Sequence, residues 1–170
     1  MSPTRSSAQP LLPVPNRREA DKVEVPPIPT GPDGGAWLRE TERKVVAAAA
    51  SSKPKDILAW LKPCRDHQDD PEEVLGFDRC PEALQTLDAK VGVAVAEAVR
   101  KCKMQGLRLK IDALDEDASK ADTLLGGRRV IYEVARRLEI HDGQGLQRAA
   151  TDLLKLKIPK KTQTRKLRHG

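Results

Sequence analysis

The chain has 170 residues, with 31 Lys and Arg against 25 Asp and Glu, so its formal net charge is +6. This length suits one domain with flanking segments. No apolar run approaches the roughly 18 residues that span a bilayer, and no secretion signal opens the chain, which argues against a membrane protein. Three widely spaced cysteines fit a reducing, intracellular compartment, cytoplasmic or nuclear. Few aromatic and β-branched residues argue against a β-sandwich and predict an all-α fold.

The chain divides by composition into four parts. Residues 1–35 hold eight of the thirteen prolines and predict a disordered Pro-rich leader. Residues 36–80 are expected to form two short helices and an acidic loop, and residues 81–158 a helical domain. Residues 159–170 form a basic tail. The fold class expected from this division is an irregular bundle of five or six short helices between a disordered leader and a basic tail.

In chain order, Asp33 and two glycines predict the start of a first helix over residues 36–50. Ser52 and Pro54 predict the start of a second helix, which we expect to end at Pro63. Residues 64–80 are acidic with few apolar side chains and are interpreted as a loop.

The longest apolar period predicts a helix over residues 81–105, which Gly106 would end. Gly92 lies inside it, where glycine costs roughly 1 kcal/mol relative to alanine, so we expect it to serve a close approach between helices. A further helix is predicted over residues 112–123, with its acidic residues near the start.

Two more helices are predicted, over residues 128–139 and 145–157. In the first, Arg128, Arg129, Arg136, Arg137 and Glu133 are expected to face outward. The residues expected to share one core are Leu87, Val91, Val95, Ile131, Val134, Leu138, Leu153 and Leu154.

Metal or catalytic chemistry has one candidate region. Cys64 and His67 form a C-x-x-H pair, with Cys80 farther along the acidic loop. A structural zinc site usually has four ligands in two close pairs, and the second pair is missing. We therefore interpret the region as a solvated loop and predict no enzyme, no metal, no cofactor and no small-molecule substrate. An enzyme or metal protein that uses Cys64 and His67 stays an alternative.

Gly126 and Gly127 precede Arg128 and Arg129 but lack the lysine of a Walker loop. Backbone amides at this helix start could hold a phosphate, although the end of one helix and the start of the next is the favoured interpretation. The acidic run that begins at Asp112 lacks the glycine of a calcium loop, and a solvated face is favoured there.

The basic tail predicts contacts with RNA or DNA phosphates that do not depend on base sequence. The alternative is a solubilising terminus. The arginines of the 128–139 helix could extend the basic surface, although a merely exposed helix face is the favoured interpretation there. The predicted nucleic-acid-binding residues are Lys160, Lys161, Arg165, Lys166, Arg168, Arg128 and Arg129.

The sequence also resembles a known family over residues 84–158. The phrase LQTLDAKVGVAVAEAV covers Leu84–Val99, and LLGGRRVIYEVARRLEIHDGQGLQRAATDLLKLKI covers Leu124–Ile158. Together they resemble the capsid-type Gag region of copia-like LTR retrotransposons. The matching residues are Leu87–Val91, Gly127-Arg128 with Ile131 and Val134, and Asp152–Lys157. The zinc knuckle that often follows in Gag proteins is missing here.

The resemblance implies a non-enzymatic, Gag-like structural protein that self-associates and holds nucleic acid through its basic tail. The alternative is a small helical nucleic-acid-binding accessory or adaptor protein unrelated to transposons. Self-association separates the two, because the Gag interpretation requires assembly that nucleic acid promotes, whereas an adaptor can stay monomeric.

Overall fold

The structure is a computed structural model that describes residues 18–50, 53–66 and 70–139. The described residues contain helices and no strand, which confirms the all-α prediction. The helices are α1 (Gly34–Ala48), α2 (Pro54–Asp66), α3 (Pro71–Leu75), α4 (Glu82–Lys101), α5 (Gln105–Lys120) and α6 (residues 127–139), with a 3₁₀ turn at Phe77–Arg79 between α3 and α4.

The prediction that Pro63 ends the second helix is wrong, because α2 continues to Asp66. A proline inside a helix leaves the carbonyl four residues earlier without its amide partner. That carbonyl belongs to Ala59, which is exposed, so water can satisfy it. The helix therefore tolerates Pro63 in its last turns.

The predicted loop over residues 64–80 is also partly wrong, since it contains the end of α2, then α3 and the 3₁₀ turn. Asp70 caps α3 by accepting a 3.2 Å hydrogen bond from the Glu73 amide, and Pro71 occupies the first turn. Leu75 is fully buried and anchors this short helix to the core.

The end of α4 and the start of α5 both differ from the expectation. Helix α4 ends at Lys101, and Gly106, expected to end it, lies in the first turn of α5. Leu107 and Ile111 are buried four residues apart and set the inner face of α5. The acidic run from Asp112 therefore falls in the second half of α5, where the helix dipole disfavours anions.

Helices α4 and α6 supply the centre of one hydrophobic core that also includes buried residues of α1 and α2. The core prediction is confirmed for the six described residues it names: Leu87, Val91, Val95, Ile131, Val134 and Leu138. Leu153, Leu154 and the predicted helix over residues 145–157 lie outside the described residues.

Residues 18–33, hereafter the N-terminal arm, correct part of the prediction that residues 1–35 form a disordered leader. Val23 and Ile28 of the arm are buried in the core, and the Ala20 amide donates a 2.9 Å hydrogen bond to the Ala48 carbonyl of α1. The arm contains neither helix nor strand, and it has no apolar period of the kind that predicts a helix. Residues 1–17 of the predicted leader lie outside the described residues.

Candidate functional site

Helix α4 and the start of α6 approach each other closely, and two glycines permit this crossing. A Cβ added to Gly92 would lie 2.7 Å from the Leu125 carbonyl oxygen. A Cβ added to Gly127 would lie 2.6 Å from the Asp88 carbonyl oxygen and from the Val91 Cβ. Real Cβ atoms do not come this close to other heavy atoms, so the predicted use of Gly92 in a close helix approach is confirmed.

Asp88 of α4 lies at this crossing and caps α6. Its Oδ1 accepts a 3.0 Å hydrogen bond from the Arg128 amide, and the side chain is fully buried. Burial raises the pKa of Asp88 above its ordinary value, against the opposing effects of the Arg128 amide, the Arg128 charge and the Gly127 amide. The Asp88 carboxyl group therefore occupies the N-terminus of α6, the place where the sequence left phosphate binding as an alternative. The Gly126-Gly127 pair serves as the start of this helix.

Arg128 points into the protein, contrary to the expectation that it faces solvent. It is 5% exposed, and its guanidinium carbon lies 5.3 Å from the ring centroid of Trp60 on α2. Its Nε and Nη2 atoms are buried without a hydrogen-bond partner. The backbone carbonyl of Arg128 accepts a 3.3 Å hydrogen bond from the Cys64 thiol. Arg128 thus joins α2, α4 and α6 rather than presenting a charge at the surface.

Arg129 is also buried, at 7% exposure, so the outward orientation predicted for it is wrong as well. Its Nη1 lies 2.6 Å from Glu72 Oε1, and its Nη2 lies 3.0 Å from Glu133 Oε1. The aliphatic stems of arginine side chains can be buried when their charged ends are paired. With two carboxylates beside it, Arg129 does not offer a charge that nucleic acid could reach.

The structure describes Cys64 and Cys80 of the region that was considered for metal binding. Cys64 and Cys80 are buried, and burial raises the pKa of Cys64 to about 12 and that of Cys80 to about 11. Both stay protonated thiols at neutral pH, whereas metal ligation and nucleophilic attack require thiolates. Within residues 18–50, 53–66 and 70–139, no group of three or more His, Cys, Asp and Glu could hold a metal ion. His67 lies outside the described residues.

One group of accessible cations lies where α5 begins beside the second half of α6. Lys110 and Arg136 are exposed, Arg137 is half-buried, and the three line, together with Glu133, one cavity of about 210 Å³, hereafter the basic corner. A Cβ on Gly106 would lie 3.6 Å from Arg137 Nη2, which places α5 directly against this arginine. The sequence signal for this surface is the excess of six Lys and Arg over one Glu in residues 90–111. Periodicity alone does not show that this segment lies beside α6.

Lys160, Lys161, Arg165, Lys166 and Arg168 lie outside the described residues. Among the residues that are described, the helices are too short or too polar to cross a membrane.

Comparisons with known proteins were negative: no protein-family model matches the chain, and no curated protein or solved structure matches it significantly. The resemblance to Gag therefore depends on the residues quoted above.

Proposed function

We propose that the chain is a Gag-like structural protein of the retrotransposon type, which self-associates and binds nucleic acid without sequence preference. The observation that carries the proposal is a contact between the two phrases of the resemblance. Asp88 of LDAKV accepts a hydrogen bond from the amide of Arg128, 40 residues away, and Gly127 packs against Val91. The two phrases of the resemblance therefore pack together as one unit, as parts of a single domain would.

The proposed role depends on surfaces and requires no catalytic group or cofactor. The buried polar residues support this assignment, because Asp88 and Arg128 serve the crossing of α4 and α6, and Cys64 is held as a thiol. Each of these side chains stabilises the bundle from inside. An enzyme that uses Cys64 would need a solvent-accessible thiolate, which burial opposes.

Nucleic acid would contact two sets of cations. One is the basic tail named above, and the other is the basic corner with the exposed residues Lys101, Lys103 and Arg108 that adjoin it along the chain. Arg128 and Arg129 are no longer part of this proposal, since both are buried. Contacts of this kind neutralise phosphates and release counterions, so their strength falls as salt rises.

A salt titration of binding to a fluorescent single-stranded RNA tests this part of the proposal. Five tail cations predict a slope of log K against log salt of about −3 to −4, and a chain that ends at Ile158 should lose most of that slope. A Lys110→Gln/Arg136→Gln double variant of the full chain should also bind the RNA more weakly than the parent. The matched control is Lys44→Gln/Lys55→Gln, which removes two exposed charges from α1 and α2. Equal affinity for all four proteins would contradict the proposal.

Self-association is tested by sedimentation velocity over a range of protein concentrations, with and without RNA. The Gag interpretation predicts larger species that grow with concentration and that RNA promotes. A chain that stays monomeric under both conditions yet binds RNA would contradict it and would favour the adaptor alternative.

A further inference from the structure

The N-terminal arm is fixed to α4 by a small, polar-edged contact. Lys90 of α4 places its Nζ 2.6 Å from Glu19 Oε1 and donates a 2.9 Å hydrogen bond to the Ala20 carbonyl. Next along the arm, Val23 is 1% exposed, and Ile28 is buried as well. One ion pair, a few hydrogen bonds and two apolar anchors therefore define where the arm lies.

The sequence of the arm restricts its backbone. Pro26, Pro27, Pro29 and Pro32 restrict φ and lack amide donors, so few backbone conformations are open to the arm. A hydrogen bond of 3.0 Å from Trp37 Nε1 to the Pro26 carbonyl ties it to α1, in addition to the bond from the Ala20 amide to the Ala48 carbonyl. A preshaped segment loses little conformational entropy when it binds a new surface.

The link between the arm and α1 is open to solvent on one side. Residues 30–32 form a bend, and a Cβ placed on Gly31 would meet no atom within 4 Å. Glycine at this position lets the chain change direction without a steric penalty. The link can therefore change direction when the arm leaves its own α4, a step that also breaks the hydrogen bonds of Ala20 and Pro26 to α1.

The seat of the arm is loosely packed compared with the crossing of α4 and α6. Cavities of about 430 Å³ and about 240 Å³ lie where the arm meets α4. Val93, which lines the smaller cavity, is 61% exposed. Opening this contact exposes Val23 and Ile28, which a second copy of the groove would have to bury again.

We infer that the arm is the element through which copies of this chain associate, with the arm of one copy seated on α4 of a second copy. The inference rests on the self-association proposed above and names its contact. The groove already fits this arm at the distances given, and a second copy carries the same Glu19, Val23 and Ile28 at the same spacing. Exchange of an identical segment preserves every arm contact and needs only the link to open, which is a low-cost route to oligomers.

The test uses the Glu19–Lys90 ion pair as a reporter in the full-length protein. Equal amounts of ¹⁵N-labelled and unlabelled chain are mixed at a concentration at which assemblies form, and are treated with a carbodiimide. This reagent joins a carboxylate to an amine as an amide and takes up the water that is released. The 2.6 Å pair is suited to such a link, which trypsin would release as peptide 19–22 joined to peptide 80–100. Mass spectrometry then reads the isotope content of each half.

Arm exchange predicts that, in the assembled fraction, up to about half of the joined peptides combine a heavy half with a light half. Joined peptides that are all heavy or all light in that fraction would overturn arm exchange and leave self-association intact. Absence of any assembled species would instead refute the proposed self-association, and arm exchange with it. A Glu19→Gln variant must lose the joined peptide, which separates this link from one through Asp21 in the same tryptic peptide.

Discussion

Replacing Gly127 with alanine tests the crossing of α4 and α6 with a single methyl group. The added Cβ would lie 2.6 Å from the Asp88 carbonyl oxygen and from two atoms of Val91, its Cβ and its Cγ1. Gly127 does not have a positive φ, so its backbone conformation suits alanine and only the available space decides the outcome. None of the three atoms belongs to the far end of a flexible side chain, so the helices themselves must move apart.

The expected magnitude follows from three contributions. Alanine is the better helix former by up to about 1 kcal/mol, which favours the variant, although Gly127 is the first residue of α6 and gains less than an interior position. Overpacking a core position costs about 1–3 kcal/mol. A shift of α6 away from α4 also lengthens the Asp88 cap on the Arg128 amide, and loss of such a cap costs about 1 kcal/mol. We therefore expect Gly127→Ala to lower the free energy of unfolding by about 1–3 kcal/mol.

Urea unfolding followed by circular dichroism measures this change, with Gly35→Ala as the matched control. A Cβ on Gly35, in the first turn of α1, would meet only the mobile Arg39 Nη1 at 3.5 Å. That variant should be neutral or more stable by up to about 1 kcal/mol. If Gly127→Ala is as stable as Gly35→Ala, the close approach of α4 and α6 described above is wrong.

Three further predictions concern the core and its titrating groups. Val134→Asp places a charge at a fully buried position and should lower the free energy of unfolding by several kcal/mol. Val93→Asp, at an exposed position of α4, should leave the melting temperature nearly unchanged. Equal effects of the two changes would contradict the assigned helix faces. Because the folded-state pKa of Asp88 is raised, the folded protein binds more protons than the unfolded chain between the ordinary and the raised pKa, and stability falls as pH rises through that window. Urea titrations over pH should therefore show Asp88→Asn gaining stability relative to the parent as pH rises, and a constant difference would argue against the raised pKa. In thiol labelling of the native protein at mildly alkaline pH, the partly exposed Cys102 should react while Cys64 stays unlabelled until the chain unfolds, and comparable rates at both sites would refute the burial of Cys64.

The sequence was most informative where local periodicity and burial agree. The apolar period of α4 located Leu87, Val91 and Val95 correctly, and the unfavourable propensity of Gly92 indicated a close contact before its partner was known. The sequence was least informative where a residue's role depends on a distant segment. The sequence predicted no role for Asp88 in the fold, because nothing within α4 reveals that the amide of Arg128 lies against it.

The order and helical character of α1, α4 and α6 follow from the sequence alone, because the pattern that repeats every three to four residues is a property of each segment by itself. Periodicity assigns one apolar face to a helix and leaves the opposite face to solvent by default. In α6 this expectation fails, because α2, α3 and α4 cover the sides that carry Arg128 and Arg129. Trp60 lies against the Arg128 guanidinium, and Glu72 and Glu133 pair with Arg129. These partners make burial of the two charges tolerable. The arm shows the converse: its prolines exclude a helix, but only the tertiary structure reveals that α1 and α4 form a surface on which an extended chain can bury Val23 and Ile28. Which side of a helix meets water, and whether an extended segment is bound, depends on what the rest of the chain places beside it.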